Sequence, residues 1–144
     1  MIYFEDIELE TVNSAGPYHL TEADIHDFSS KWDPFDFHTD EKAAESSIFG
    51  GLAASGVHLC CIFNRLCHDM EMPAVQAVVQ HEFRYPNAAR PDDHLVLNSK
   101  HSWTKNSQSR PEIGIVGGES QLLNQEGVIV LDVKSVMFVA KRSQ

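Results

Sequence analysis

SGVHLCCIFNRLC, at residues 55–67, is the stretch whose reading decides the architecture. Val57, Cys60, Cys61, Asn64 and Cys67 trace one face of a helix, and Leu59, Ile62, Phe63 and Leu66 trace the neighbouring one. Apolar groups run almost all the way round, which predicts a helix buried on most sides. Pro73 marks its end region. Beyond it the period changes. Residues 75–85, 94–104, 113–123 and 128–139 mix β-branched and aromatic side chains with partial alternation and read as about four long strands. Asn124-Gln125-Glu126-Gly127 joins the last two as a hairpin turn. One apolar helix followed by consecutive strands predicts an α+β fold in which an antiparallel sheet wraps around that helix.

On the other side of the helix the chain is less regular. Ile2 to Leu9 reads as a short strand or an extended arm. Gly16-Pro17 is a turn signal, followed by a short strand ending at Leu20. Thr21 caps a helix predicted over 22–31, with Ile25, Phe28 and Trp32 at helical spacing. WDPFDFHTD, residues 32–40, reads as a loop in which Pro34 holds Asp33 extended. Thr39 or Asp40 caps a short helix through Glu45, and IFGGLAAS, residues 48–55, is a glycine-bearing loop.

With 144 residues the chain reads as a single domain, 1–144. Asp and Glu number 21 against 11 Lys and Arg, a formal net charge of -10. Such a surface repels phosphate backbones and anionic lipid, which argues against nucleic-acid and membrane partners. The acidic N-terminus lacks the features of a signal peptide, and no apolar run is long enough to span a bilayer. Cys60, Cys61 and Cys67 form neither a disulfide framework nor a zinc pattern. They read as small core residues in a reducing, cytoplasmic setting. His81, His94 and His101 lack metal-ligand spacing, so no metal is expected. Trp103 reads as sheet packing, and Asp69 and Glu71 as a solvated helix end.

Chemistry concentrates at Asp33 and His38, then Phe49-Gly50-Gly51, then Ser55-Gly56 at the head of the apolar helix. A carboxylate and an imidazole on one proline-stiffened loop can share a proton-transfer task near neutral pH. A helix N-terminus offers free N–H groups to a developing oxyanion, and glycine there admits a ligand close to the backbone. Each residue alone has a plainer reading: Asp33 as a turn former, His38 as a structural histidine, Gly56 as a tight packing point. His58 reads as a helix residue facing a neighbour or a partner subunit.

Asp33 and His38, with Thr39-Asp40, Ala43-Ala44, Phe49-Gly50 and Gly56, resemble the hydratase motif of MaoC-like dehydratases. Phe83-Arg84-Tyr85-Pro86 and Arg90-Pro91-Asp92-Asp93-His94-Leu95 resemble the strand and turn that follow in that family. The likeness runs from about residue 17 to about residue 138. It implies a hot-dog fold, assembled as a homodimer or higher homo-oligomer. It further implies a hydro-lyase acting on an enoyl or 3-hydroxyacyl thioester of coenzyme A or an acyl carrier, without a cofactor. By the same resemblance Asp33 and His38 match the water-activating dyad of (R)-specific enoyl-CoA hydratases. Gly56 matches the residue whose N–H holds the thioester oxygen, with Ser55 adding a hydroxyl contact. Coenzyme A is anionic, and Arg84, Arg90, Lys100, Lys105, Arg110, Lys141 and Arg142 are the cations available to meet it.

The sequence departs from the family pattern at three places. Phe35-Asp36 replaces the usual pair inside the dyad, where Asp36 either raises the histidine pKa or points into solvent. Cys61 falls where some hydratases carry a helix serine near the dyad. Asp92-Asp93 replaces a glycine-bearing turn. Two other readings stay open: a hot-dog thioesterase, and a non-catalytic subunit that binds acyl thioesters.

Overall fold

The computed structural model describes residues 1–143. Its framework is a five-stranded antiparallel sheet in the order β1-β3-β4-β5-β2. The strands are β1 (Asn13–Leu20), β2 (Val75–Arg84), β3 (Asp93–Asn106), β4 (Ile113–Leu123) and β5 (Ile129–Ala140). The short strand read as ending at Leu20 is the edge strand β1, which begins earlier, at Asn13, and pairs with β3. β4 lies in the middle of the sheet, and its Val116 and Leu122 are fully buried. Trp103 of β3 pairs with Gly117 of β4 and lays its ring where a Cβ on that glycine would stand, which is the packing expected of it.

Between β1 and β2 run α1 (Glu22–Trp32), α2 (Asp36–Thr39), α3 (Glu41–Glu45) and α4 (Gly56–Cys67). Helix α4 lies against the sheet. Leu59, Ile62, Phe63 and Leu66 are 2–3% exposed and join Leu95, Leu97, Leu122, Leu131 and Val133 in the main core. The helix is not buried on most sides, as its composition suggested. Val57 is 52% exposed, and Cys61 and Asn64 are exposed. One curved sheet covers one side of a helix, and α1 covers only part of the remainder. The cysteine expectation changes accordingly. All three thiols are free; Cys61 faces out, while Cys60 and Cys67 are half-buried. Burial pushes the Cys67 thiol up to about 11, so it stays protonated and inert at neutral pH.

Thr21 caps α1 as expected, its hydroxyl accepting the Asp24 N–H at 3.1 Å. Asp40, rather than Thr39, caps α3 through the Ala43 N–H at 2.8 Å. The first residues form an arm with a 3-10 turn at Phe4–Asp6, tied to the body by bridges from Ile2 to Pro73 and from Leu9 to His101. The predicted turn at Gly16-Pro17 is instead a register shift inside β1. Gly16 has φ +109°, and a Cβ there would meet the Leu95 carbonyl oxygen at 2.7 Å, so the local signal is real but serves a bulge. No helix among the described residues is long and apolar enough to cross a membrane.

Candidate active site

Asp33 is the residue at which α1 stops. Its N–H donates to the Ser29 carbonyl at 2.9 Å, and Pro34 prevents a further turn. The chain then tightens, with Phe35 N–H donating to the Asp33 carbonyl at 2.9 Å, and starts α2. His38 therefore sits on a short helix rather than in an open loop. Its side chain is buried, edge-on to Phe37 at 4.5 Å between centroids.

The orientation of that imidazole is set by one backbone atom. Nδ1 lies 2.6 Å from the Ala53 carbonyl oxygen. A carbonyl only accepts, so Nδ1 carries a proton, and in the neutral ring Nε2 presents its lone pair. Nε2 stands 3.7 Å from Asp33 Oδ2. That separation is too long for a direct hydrogen bond and leaves both groups free to act on a third. Asp33, His38 and Gly56 line one cavity of about 630 Å³.

Ser55 is fully buried and is not among the residues lining this cavity. Its hydroxyl donates to Asp33 Oδ2 at 2.6 Å and accepts the Val57 N–H at 3.2 Å. Ser55 thus caps α4 and holds the Asp33 carboxylate. Gly56 is the first residue of α4, where an amide has no acceptor within the helix. A Cβ on Gly56 would lie 2.7 Å from the Tyr85 ring, so only glycine fits beneath that ring.

Arg90 corrects a second expectation. It is not a free cation for a phosphate. One terminal nitrogen donates to the carbonyls of Gly51 and Leu52, at 2.9 and 3.2 Å, and the other to that of Phe49. Asp93, only 5% exposed, accepts the Arg90 N–H at 2.8 Å and a Gln125 amide proton at 3.1 Å. Asp93 therefore fixes Arg90, Arg90 fixes the 49–52 loop, and that loop delivers the Ala53 carbonyl to His38. Nothing in the spacing of these residues announced this, because three of the acceptors are backbone atoms. The remaining cations are dispersed. Lys100 pairs with Glu10 and Glu119, Arg142 with Asp6, and Arg84 with Glu82.

The other departures resolve as follows. Asp36 is exposed, and Asp33 is the only acid paired with His38 among the described residues. Cys61 does not line the cavity, and α4 contributes Gly56, Val57 and Leu59 to it. Asp92 takes up the left-handed conformation, φ +67°, that a glycine adopts without strain, and accepts from His19 at 3.0 Å. His58 faces its neighbour α1, stacked on Phe28 with centroids 4.4 Å apart. A second cavity, about 310 Å³, lies at the far end of α4 between Phe63, Cys67, His81, His101 and Met137. Glu22, His26 and Glu41 bring potential metal-ligand atoms within 4.8 Å of one another on α1 and α3, away from either cavity.

An imidazole with an open Nε2, an adjacent carboxylate and a helix N-terminus share one largely apolar cavity. That set can move protons on a substrate whose carbonyl is polarised at the helix end.

The MaoC like domain family matches residues 5–119. The MaoC-like dehydratase from Rhodospirillum rubrum superposes with a TM-score of 0.93 at 34% identity, covering 100% of both chains. The R-hydratase from Pseudomonas aeruginosa gives a TM-score of 0.77 at 15% identity over 98% of this chain and 87% of that one. The (R)-hydratase from A. caviae, involved in PHA biosynthesis, gives 0.73 at 13% identity over 92% and 97%. At such identities these last two share the hot-dog fold alone. No curated protein matches the sequence.

Proposed function

The chain belongs to the MaoC like domain family, and from that premise we propose that it is a hydro-lyase adding water to, or removing it from, an enoyl or 3-hydroxyacyl thioester. The observation that carries this reading is the 2.6 Å approach of His38 Nδ1 to the Ala53 carbonyl oxygen. The Ala53 carbonyl holds the Nδ1 proton, so Nε2 is the base, and it shares the cavity with Asp33 and the first amide of α4. In the hydration direction a water hydrogen-bonded to Nε2 and Asp33 attacks the β-carbon. Its proton passes to the dyad, and negative charge moves onto the thioester oxygen at the Gly56 N–H. The enolate then collapses as the α-carbon takes a proton from the dyad. Proton transfers and one hydrogen-bonded oxyanion are the whole chemistry, so no cofactor is needed. A hot-dog thioesterase of the kind considered above needs a carboxylate on the buried helix. Helix α4 has none, and Asp69 lies beyond its end, held by Arg65 at 2.7 Å.

The substrate in this reading is a thioester of coenzyme A or an acyl carrier, and the active form is a homodimer or a higher homo-oligomer. Strand β2 is ten residues long and lies at the sheet edge, with Val78 and Val79 50% and 48% exposed. An unpaired edge of that length calls for a partner, and pairing with a second copy satisfies it with one two-fold axis.

The test is hydration of trans-2-enoyl-CoA thioesters of four to eight carbons by the purified protein, with Asp33→Asn beside it. The expected result is turnover in the wild type and a loss of about 100-fold or more in the variant, at unchanged oligomeric state. No turnover by the wild type across that range, or full activity in Asp33→Asn, overturns the reading.

A further inference from the structure

We infer that Tyr85 is a specificity-determining residue, the wall that limits the acyl group held at the head of α4. This rests on the thioester reading above. Three independent features put the ring there. Pro86 follows it and confines the Tyr85 backbone to extended conformations. Gly56 lacks the Cβ that would stand 2.7 to 3.2 Å from three atoms of the ring. The Tyr85 hydroxyl and the Cys60 thiol, one helical turn beyond Gly56, share a hydrogen bond at 3.2 Å.

The ring thus bridges the first turn of α4 from Gly56 to Cys60. It lies against the residue whose amide receives the thioester oxygen, and any acyl group bonded at that carbonyl passes beside it. The ring lines the cavity with the dyad and is 49% exposed, so it stands between that cavity and solvent along α4. Burial pushes the Tyr85 phenol up, with Cys60 adding to the effect, so the hydroxyl keeps its proton. To swing aside for a longer chain the ring must give up both its contact with Gly56 and its hydrogen bond to Cys60. The site therefore favours a short acyl group, and removing the ring opens a path along α4.

The experiment compares kcat/KM for four-carbon and eight-carbon trans-2-enoyl-CoA in the wild type, Tyr85→Ala and Tyr85→Phe. The wild type should prefer the shorter thioester. Tyr85→Ala should shift the eight-to-four ratio upward by about tenfold or more, the scale on which pockets discriminate by a few methylenes. Tyr85→Phe keeps the ring but frees it from Cys60, and its ratio should fall between the two. An equal change for both chain lengths, or none, overturns the inference, because a structural or carrier-side role moves both together. Calorimetric binding of butanoyl-CoA and octanoyl-CoA separates this from the hydratase reading. If the wild type binds without turning over, the hydratase reading falls and the Kd ratios of the variants decide on Tyr85 by the same criteria. If neither thioester binds, both fall.

Discussion

Replacing Ser55 by alanine removes both hydrogen bonds of its hydroxyl, one to the Asp33 carboxylate and one from the Val57 amide. Loss of an N-cap costs about 1 kcal/mol. A hydrogen bond to a charged acceptor contributes about 2 kcal/mol more, and Ser55 is fully buried, so water does not replace it. The expected destabilisation is about 3 kcal/mol, a fall of about 10 °C in Tm for a domain of this size. Urea unfolding at fixed protein concentration measures it, since an oligomer's apparent stability depends on concentration. The two contributions separate in a double-mutant cycle with Asp33→Ala. In that background only the cap remains to be lost, so Ser55→Ala should cost about 1 kcal/mol, giving a coupling of about 2 kcal/mol. A coupling below about 0.5 kcal/mol, the usual scatter of additive sites, refutes the claim that Ser55 holds Asp33.

Arg90→Lys keeps a charge but loses the fork that spans the Phe49, Gly51 and Leu52 carbonyls; unfolding should show a loss of about 2 to 3 kcal/mol, with kcat falling as the Ala53 carbonyl drifts from His38, and a silent substitution would refute the bracing role. Burial holds His58, His81 and His101 below the usual histidine value, opposed at His58 by Asp24. Below about pH 6.5 the unfolded chain takes up protons that the folded one refuses, so stability should fall as pH drops below that value. His58→Phe keeps the stack on Phe28 and should flatten that slope, measured by urea unfolding between about pH 5 and 6.5; an unchanged slope removes His58 from the account. Val79→Lys places a charge on the β2 edge and should weaken self-association by about 100-fold in sedimentation analysis, while a dimer of unchanged affinity would move the interface elsewhere.

The parts legible in the sequence were those whose signal is local and periodic. α4, the four long strands and the Thr21 cap each follow from residues within a turn or two of one another. The failures have a common physical cause. Gly16-Pro17 carries a turn signature, but β3 lies alongside and turns the irregularity into a bulge within a strand. The outward face of α4 looks buried because Val57, Cys60 and Cys61 are apolar, and composition does not say how far one sheet can reach around a helix. At the site, Asp33, His38 and Gly56 meet as their pattern implied. The hydrogen bond from Ser55 to Asp33 did not follow, because the hydroxyl has two possible directions and only the fold chooses Asp33. Arg90 read as a surface cation because its partners are carbonyl oxygens some forty residues away. Main-chain atoms carry no letter in a sequence, and the Ala53 oxygen that orients His38 is such an atom.

The strand order has a consequence for how the molecule is made. β4, at the centre, pairs with β3 and β5, all of them after residue 92, while β1 and β2 attach only at the flanks. A ribosome therefore releases α1, α4 and the dyad loop with only β1 made before them, and β1 has no strand to pair with until β3. Leu59, Ile62, Phe63 and Leu66 emerge before the β3 and β5 residues that cover them, and β1 must wait some eighty residues for its partner. Non-local pairing of this kind makes for slow folding and a long interval of exposure. Yield in the cell should accordingly depend on holdase chaperones and growth temperature more than the stability of the finished fold would suggest.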